Sequence, residues 1–137
     1  MKIMKKSLCF IAVLLLVIGC NKSNQHNPFA GTKWSAPQAY SSNFYVLTFS
    51  DNEYNFYDAD ENLNFKRYLD TGTYTFEENS ITANSSGEYL SSEMYSSSWI
   101  VLNATLSVDL LTVRFRFINV GAPTPEGERE LVFTRLQ

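Results

Sequence analysis

The chain has 137 residues, with 11 Lys and Arg against 14 Asp and Glu, and its formal net charge is −3. That length corresponds to one domain with room for a modest core. The acidic balance argues against nucleic acid as a partner and against adsorption onto anionic lipid, because both need a basic surface.

The N-terminus has the pattern of an export signal. Lys2, Lys5 and Lys6 give a basic start, and residues 8–18 form an uninterrupted apolar run of 11 residues. Such a run suits a signal-peptide core and is short for a membrane-spanning helix, which needs ~20 residues.

The apolar run ends in Val17-Ile18-Gly19-Cys20, which resembles the lipobox of bacterial lipoproteins. The resemblance implies that residues 1–19 are a signal peptide removed by cleavage. It also implies that the Cys20 sulfur takes a diacylglycerol and that the new amine takes an acyl chain such as palmitate. At ~0.8 kcal/mol per buried methylene, two or more chains anchor a protein stably. The alternatives are an ordinary signal peptide, in which Cys20 has no role, and an uncleaved anchor.

Residues 20–28 are predicted to be the lipidated cysteine and a flexible tether, because residues 21–27 are polar. Eight residues can reach ~25 Å from the membrane. Some lipoproteins carry an inner-membrane retention aspartate directly after the cysteine, and Asn21 stands there instead, which favours the outer membrane. Lys22 replaces the acidic residues that mark surface export in some groups, so the periplasmic face is favoured over the cell surface.

The few reactive side chains exclude several enzyme classes. Loss of residues 1–19 leaves 8 basic against 14 acidic residues and removes Cys9, while Cys20 is used for lipid. The only histidine, His26, lies in the tether. A Ser/His/Asp triad, a Cys/His dyad and a His-ligated zinc site are therefore excluded within one chain. We predict a non-enzymatic domain with no cofactor and no metal.

From Phe29 onward, alternating apolar and polar residues predict β-strands separated by turn residues. Strands are predicted over 44–49, 53–57, 65–69, 72–76, from 81, and over 99–108, 111–117 and 130–136. Turns are predicted at 50–52, 58–62, 77–79, 84–87 and 109–110, with a proline-containing loop over 121–127. Segment 88–98 fits a strand, a loop or a short helix. About eight strands at this spacing predict an all-β antiparallel barrel or sandwich.

Short motifs in this region are similar to those of the lipocalin-like domains of small bacterial lipoproteins. They are the segments 31–34 (GTKW), 47–54 (LTFSDNEY), 72–82 (GTYTFEENSIT) and 131–135 (LVFTR). The resemblance implies an up-and-down barrel of roughly eight strands over residues 29–137. It also implies that Trp34 packs at the closed end under Arg135, a structural cation–π stack of ~1 kcal/mol.

The acidic turn Asp58-Ala59-Asp60-Glu61-Asn62 has the D-x-D-x-N look of a calcium loop. An EF-hand loop also needs Gly at its sixth position and Glu at its twelfth, where this chain has Leu63 and Leu69. We therefore predict a solvated hairpin turn.

Arg114 and Arg116 share one strand face, opposite the apolar residues of 111–117. One hypothesis places them inside the barrel as a ligand-binding pair for a carboxylate, because guanidinium groups suit bidentate recognition. The favoured interpretation places both outside, facing Glu or Asp on a neighbouring strand.

Two functional hypotheses remain from the sequence. The first, implied by the lipocalin resemblance, is a lipoprotein that binds a small apolar molecule in its barrel. The second is an accessory module with a filled barrel that docks an envelope protein or glycan, an enzyme inhibitor being one example. The 19 aromatic residues from Phe29 onward favour a small cavity. A dry cavity of ~300 Å³ or more would favour the first hypothesis, and a packed interior would favour the second.

Overall fold

The computed structural model describes residues 25–90, 97–119 and 127–137. The predicted signal peptide, Cys20, residues 91–96 of the ambiguous segment and residues 121–126 of the predicted loop lie outside these ranges. The described residues contain eight β-strands and no helix. The strands are β1 Lys33–Pro37, β2 Phe44–Phe49, β3 Glu53–Ala59, β4 Phe65–Glu77, β5 Ser80–Ser85, β6 Ser97–Ser107, β7 Leu110–Asn119 and β8 Gly127–Arg135.

The strands form a closed barrel in which each strand is antiparallel to the next. Closure runs through β1 and β8, where Trp34 pairs with Arg135 and Ser35 with Thr134. This architecture confirms the predicted all-β, up-and-down barrel of eight strands. Because the sheet closes on itself, it has no free edge strand.

The two ends of the barrel differ in their connections. At the closed end lie residues 25–32, the two-residue turns at 78–79 and 108–109, and the end of β8. Glu78 and Val108 have φ of 53° and 54°, the left-handed conformation that short hairpin turns require. The turn predicted at 109–110 therefore lies one residue earlier. At the open end lie the connections 38–43 and 60–64 and the starts of β6 and β8.

Aromatic rings fill the middle of the barrel. The apolar face of β7 points inward, and Leu111, Val113 and Phe115 are completely buried. The ring of Phe115 lies 4.8 Å from that of Phe56 and 6.2 Å from that of Phe133, measured between centroids. A barrel of eight strands has an interior just wide enough for such side chains. The centre is therefore a packed core.

The two strands predicted over 65–69 and 72–76 are wrong, because β4 is one continuous strand of 13 residues. Its register shifts where Phe56 pairs with Asp70 while the next residue of β3 pairs with Tyr68. The extra residue in this bulge is Leu69, and both Leu69 and Asp70 are buried. The polar Asp70, which breaks the sequence pattern, belongs to the barrel interior.

The buried Asp70 carboxylate joins strands where the sheet parts. The ladder between β5 and β6 covers only 80–82 of β5. Beyond it, Asp70 accepts hydrogen bonds from the Val101 amide and the Tyr54 hydroxyl, each at 2.8 Å, and from the Ser85 hydroxyl. Burial raises the pKa of Asp70 above its usual 3.8, although these donors oppose the shift. The carboxylate replaces backbone hydrogen bonds that the diverging strands do not make.

The closed end is sealed from the N-terminal side. Phe29 is fully buried against the rings of Phe49 and Tyr74, at 5.7 and 6.4 Å. Asn27 holds this segment in place, because its amide donates to the Tyr74 hydroxyl at 2.8 Å and to the Asp51 carbonyl at 3.0 Å. Residues 27–29 therefore join the barrel at its closed end.

Candidate ligand site at the open end of the barrel

A recess of about 620 Å³ opens at the end of the barrel away from the N-terminal segment. Its walls come from the 38–43 connection and from inward-facing residues near the ends of three strands: Tyr45 of β2, Trp99 of β6, and Arg129 and Leu131 of β8. The volume lies within the ~300–1,000 Å³ of small-molecule sites. The recess is a mouth above the packed core and does not run through the barrel.

The floor of the recess is aromatic. Trp99 is half-buried, and its ring lies 5.5 Å from that of Tyr45 and 4.9 Å from that of Phe117. Below them, Phe115 and Phe56 continue the stack, with Trp99 to Phe115 at 5.6 Å. Since these rings are fixed by their neighbours, a flat apolar molecule could pack on them without ordering mobile side chains.

Arg129 is the inward-facing cation of this end. It pairs across the sheet with Phe115, whose side chain is in the core, so both point to the same side. Its guanidinium carbon lies 5.0 Å from the centroid of the Phe117 ring. Among the described residues, no carboxylate forms an ion pair with Arg129. Its charge is therefore available to an acidic or hydrogen-bond-accepting group above the aromatic floor.

Asp58 organises the rim beside Tyr45, its cross-strand partner. The carboxylate accepts hydrogen bonds from Gln38 at 2.8 Å and from the Arg67 guanidinium at 2.9 Å. Burial, followed by the negative charge of Asp58, raises the pKa of Tyr45, while Arg129 and Arg67 oppose the shift. The Tyr45 hydroxyl is therefore a neutral donor at physiological pH, directed toward the same opening as Arg129.

The structure places Trp34 and Arg135 together at the closed end, where the Arg135 guanidinium carbon lies 5.7 Å from the Trp34 ring. Trp34 is completely buried, and its indole N–H donates to the Thr32 hydroxyl at 2.8 Å. This arrangement is a packing contact, and Trp34 leaves no surface for a ligand.

Arg114 and Arg116 lie on the outer surface of β7, so the hypothesis of an interior arginine pair is wrong. Arg114 forms an ion pair with Glu128 of β8 at 2.5 Å, and both side chains are roughly half exposed. The reason is the apolar face of the strand, whose burial fixes which side of the sheet the arginines take.

Sequence reasoning missed Arg129 because the last strand was predicted to begin at residue 130, whereas β8 begins at Gly127. The signal was present: counting back from Phe133 in steps of two gives Leu131 and Arg129 on one face. The start of β8 was not recognised because Arg129 is surrounded by Gly127, Glu128 and Glu130, which are residue types with low strand propensity.

The turn predicted at 58–62 overlaps β3, which continues to Ala59, and the connection is 60–64. Asp60 accepts hydrogen bonds from the backbone amides of Asn62 and Asn64 and from the Asn64 side chain. Hydrogen bonds from Asn64 are the main cause that lowers the pKa of Asp60. The carboxylate thus closes a turn, and no cluster of three metal-ligating side chains occurs within the residues that the structure describes.

Comparison of the chain with protein-family models, with curated proteins and with solved structures gives no match. In the described part of the chain, no helix is long and apolar enough to cross a membrane. The class established by the fold is an eight-stranded antiparallel β-barrel with one sealed end and one open end.

Proposed function

We propose that this protein is a membrane-anchored bacterial lipoprotein whose barrel is a non-enzymatic binding module. Its ligand is a small, largely apolar molecule held in the recess at the open end. The observation that carries the proposal is the concave volume of about 620 Å³ above an aromatic floor. A site of this size with an apolar surface and few polar groups is the usual form of a small-molecule site.

The polar groups at the recess narrow the ligand chemistry. An apolar body would pack on Trp99 and Tyr45, while an acidic group would lie beside Arg129. Glu130 also lines the recess, but it alternates to the outer side of β8 opposite Arg114, so Arg129 is the inward-facing charge and favours an anion over a cation. The ligand is therefore an apolar molecule with one acidic end.

The anchor and the recess lie at opposite ends of the barrel in this proposal. Residues 27–29 join the domain at the closed end through Asn27 and Phe29. A lipid on Cys20 would then hold the closed end toward the outer membrane, and the recess would face the periplasm. Ligand exchange would occur with the aqueous side rather than with the anchoring leaflet.

Dye binding to a fragment of residues 25–137, which contains all eight strands of the described residues, tests the recess. Anilinonaphthalene sulfonate supplies an apolar body with an acidic group, and the neutral N-phenylnaphthylamine supplies the body alone. We expect Trp99→Ala to weaken both dyes, and Arg129→Ala to weaken the anionic dye about tenfold and the neutral dye little. Arg116→Ala on the outer surface is the matched control. Equal losses in Arg129→Ala and Arg116→Ala would contradict the proposal.

Replacement of Cys20 by Ser tests the anchor. The variant should lose metabolic acyl labelling and leave the membrane fraction, because the lipid is the proposed attachment. A variant that stays membrane-bound with unchanged labelling would show that Cys20 is not the lipidated residue.

A further inference from the structure

The outer surface of the barrel carries aromatic side chains that the core does not use. Tyr57, Phe65, Tyr68 and Tyr89 form a continuous outer aromatic row, with centroids 5.4 Å apart for Tyr57 and Phe65, 4.8 Å for Phe65 and Tyr68, and 5.3 Å for Tyr68 and Tyr89. Phe65 is 53% exposed and Tyr68 40%. Contiguous exposed rings on a soluble barrel usually mark a binding surface.

A groove of about 370 Å³ continues from this row across the outer face of β3 and β4. Tyr68 and Tyr89 line one part of it, and the polar pairs Glu53 with Thr73 and Asn55 with Thr71 line another. These pairs are successive cross-strand rungs, followed by the rung of Tyr57 and Tyr68. We call this surface the outer groove.

The rungs of the outer groove repeat at a regular distance. Side chains on one face of a strand recur every two residues, or ~7 Å, so three rungs span ~14 Å, roughly the length of two to three sugar rings. Hydroxyl, amide and carboxylate groups on two of the rungs can donate to or accept from the hydroxyls of a polyol. The ring faces of Tyr68 and Tyr89 can pack on the C–H face of a pyranose.

The charges of the outer groove exclude acidic ligands. Glu53 and Glu88 both line it, and neither forms an ion pair with a residue in the described ranges. A carboxylated, sulfated or phosphorylated chain would meet these carboxylates at close range without a compensating cation.

We propose that the outer groove binds a saccharide chain without acidic groups, as a second site independent of the recess. The recess is lined by residues of β1, β2, β6 and β8 and the connection after β1, whereas the outer groove is lined by β3, β4 and residues after β5. The two sites share no lining residue in the described part of the chain. A lipid-anchored barrel would thereby hold an envelope glycan on its side while its open end stays accessible.

The test uses the full-length protein, solubilised in detergent and immobilised, with cellohexaose, chitohexaose and maltohexaose as neutral probes and a polygalacturonate fragment as the acidic probe. We expect at least one neutral hexasaccharide to bind and the acidic fragment not to bind. Tyr68→Ala should weaken binding about tenfold, and Tyr68→Phe, which keeps the ring, should bind within about twofold of the unaltered protein.

Two controls keep the result interpretable. Tyr40→Ala alters an exposed tyrosine of the recess and should leave saccharide binding unchanged, while Tyr68→Ala should leave binding of the anionic dye to the recess unchanged. If Tyr68→Ala loses cooperative melting, Tyr89→Ala replaces it. The proposal is overturned if no neutral probe binds at millimolar concentration, if the acidic fragment binds equally well, or if Tyr40→Ala weakens saccharide binding as much as Tyr68→Ala.

Discussion

Two arginines on β8 make the same kind of cation–π contact at the two ends of the barrel, but in different surroundings. Arg135 lies over Trp34 at the closed end and Arg129 lies over Phe117 at the open end, with guanidinium-to-ring distances of 5.7 and 5.0 Å. Both residues follow the inward-facing alternation of the strand. The two rings differ in burial: Trp34 is completely buried, whereas Phe117 is half-buried and packs against Trp99, which lines the recess.

This comparison indicates that a cation–π pair can contribute either to stability or to ligand recognition, depending on its surroundings. At the closed end, the arginine covers a ring that is already hydrogen-bonded and packed, so the pair contributes to stability. At the open end, the ring next to the arginine is half-buried, and the arginine itself lines the recess. The same chemistry can therefore support folding at one end and recognition at the other.

The largest expected difference between the ends comes from the two tryptophans. Trp34→Ala removes a completely buried ring and should lower the free energy of unfolding by about 3–5 kcal/mol. Trp99→Ala removes a half-buried ring and should cost about 2 kcal/mol while weakening the binding of both dyes. Urea denaturation with matched dye titration measures both quantities. A Trp99→Ala variant as destabilised as Trp34→Ala would mean that the open end is also structural.

The next largest loss of stability is expected at Asp70, between the two ends, because its buried carboxylate accepts hydrogen bonds from three other strands. Asp70→Ala should lower the free energy of unfolding by about 2–3 kcal/mol, since the Val101 amide and the Tyr54 hydroxyl would lose their acceptor. Ser86→Ala, which alters a neighbouring exposed hydroxyl, is the control and should cost under about 1 kcal/mol. Similar melting temperatures for the two variants would contradict the role assigned to Asp70.

The pH dependence of stability sharpens the assignment of Asp70. Its folded-state pKa is raised above 3.8, so the folded protein binds this proton more tightly than the unfolded chain does. The stabilisation is fully present below the unfolded pKa and is lost as pH rises from about 4 through the folded pKa. The free energy of unfolding of the unaltered protein minus that of Asp70→Asn should therefore fall as pH rises through this window. A rise of this quantity with pH would show that the folded-state pKa is lowered.

A smaller difference in stability and dye binding is expected between the Arg135 and Arg129 variants. Arg135→Ala should cost about 1 kcal/mol and leave dye binding intact, whereas Arg129→Ala should cost under about 0.5 kcal/mol and weaken the anionic dye. Thermal unfolding and dye titration of both variants provide the comparison. Loss of dye binding in Arg135→Ala alone would reverse the assignment of the two ends.

The smallest effect is expected on the outer surface of β7. Arg116 is exposed and forms no ion pair within the described ranges, so Arg116→Ala should change the free energy of unfolding by less than about 0.5 kcal/mol. Arg114→Ala also removes an exposed ion pair with Glu128 and should cost up to about 1 kcal/mol. Loss of dye binding in either variant would contradict the placement of the ligand at the open end.

The sequence predicted the barrel because its strongest alternation is governed by burial. Leu111, Val113 and Phe115 settle which face of β7 points inward, and with it the outward direction of Arg114 and Arg116. The sequence failed where tertiary contacts override local pattern. The bulge at Leu69 hides the continuity of β4, because it places two successive residues, one of them Asp70, in the interior.

The candidate site was only partly predictable for a related reason. Its aromatic floor is visible as β-rich sequence, but its cation depends on knowing that β8 begins three residues before the predicted start. The outer aromatic row was not predictable at all, because Tyr57, Phe65 and Tyr68 come from two strands whose register is shifted by bulges. Neighbours across a sheet follow from pairing and not from spacing along one strand.

The measurement that tests the central account most directly uses the two tryptophans as reporters of the two ends. In an isotope-labelled fragment of residues 25–137, the indole N–H groups of Trp34 and Trp99 give two separate signals, assigned with Trp99→Phe. Titration with anilinonaphthalene sulfonate should shift the Trp99 signal and leave the Trp34 signal in place, because the recess adjoins only Trp99. A shift of the Trp34 signal with an unmoved Trp99 signal would contradict the account.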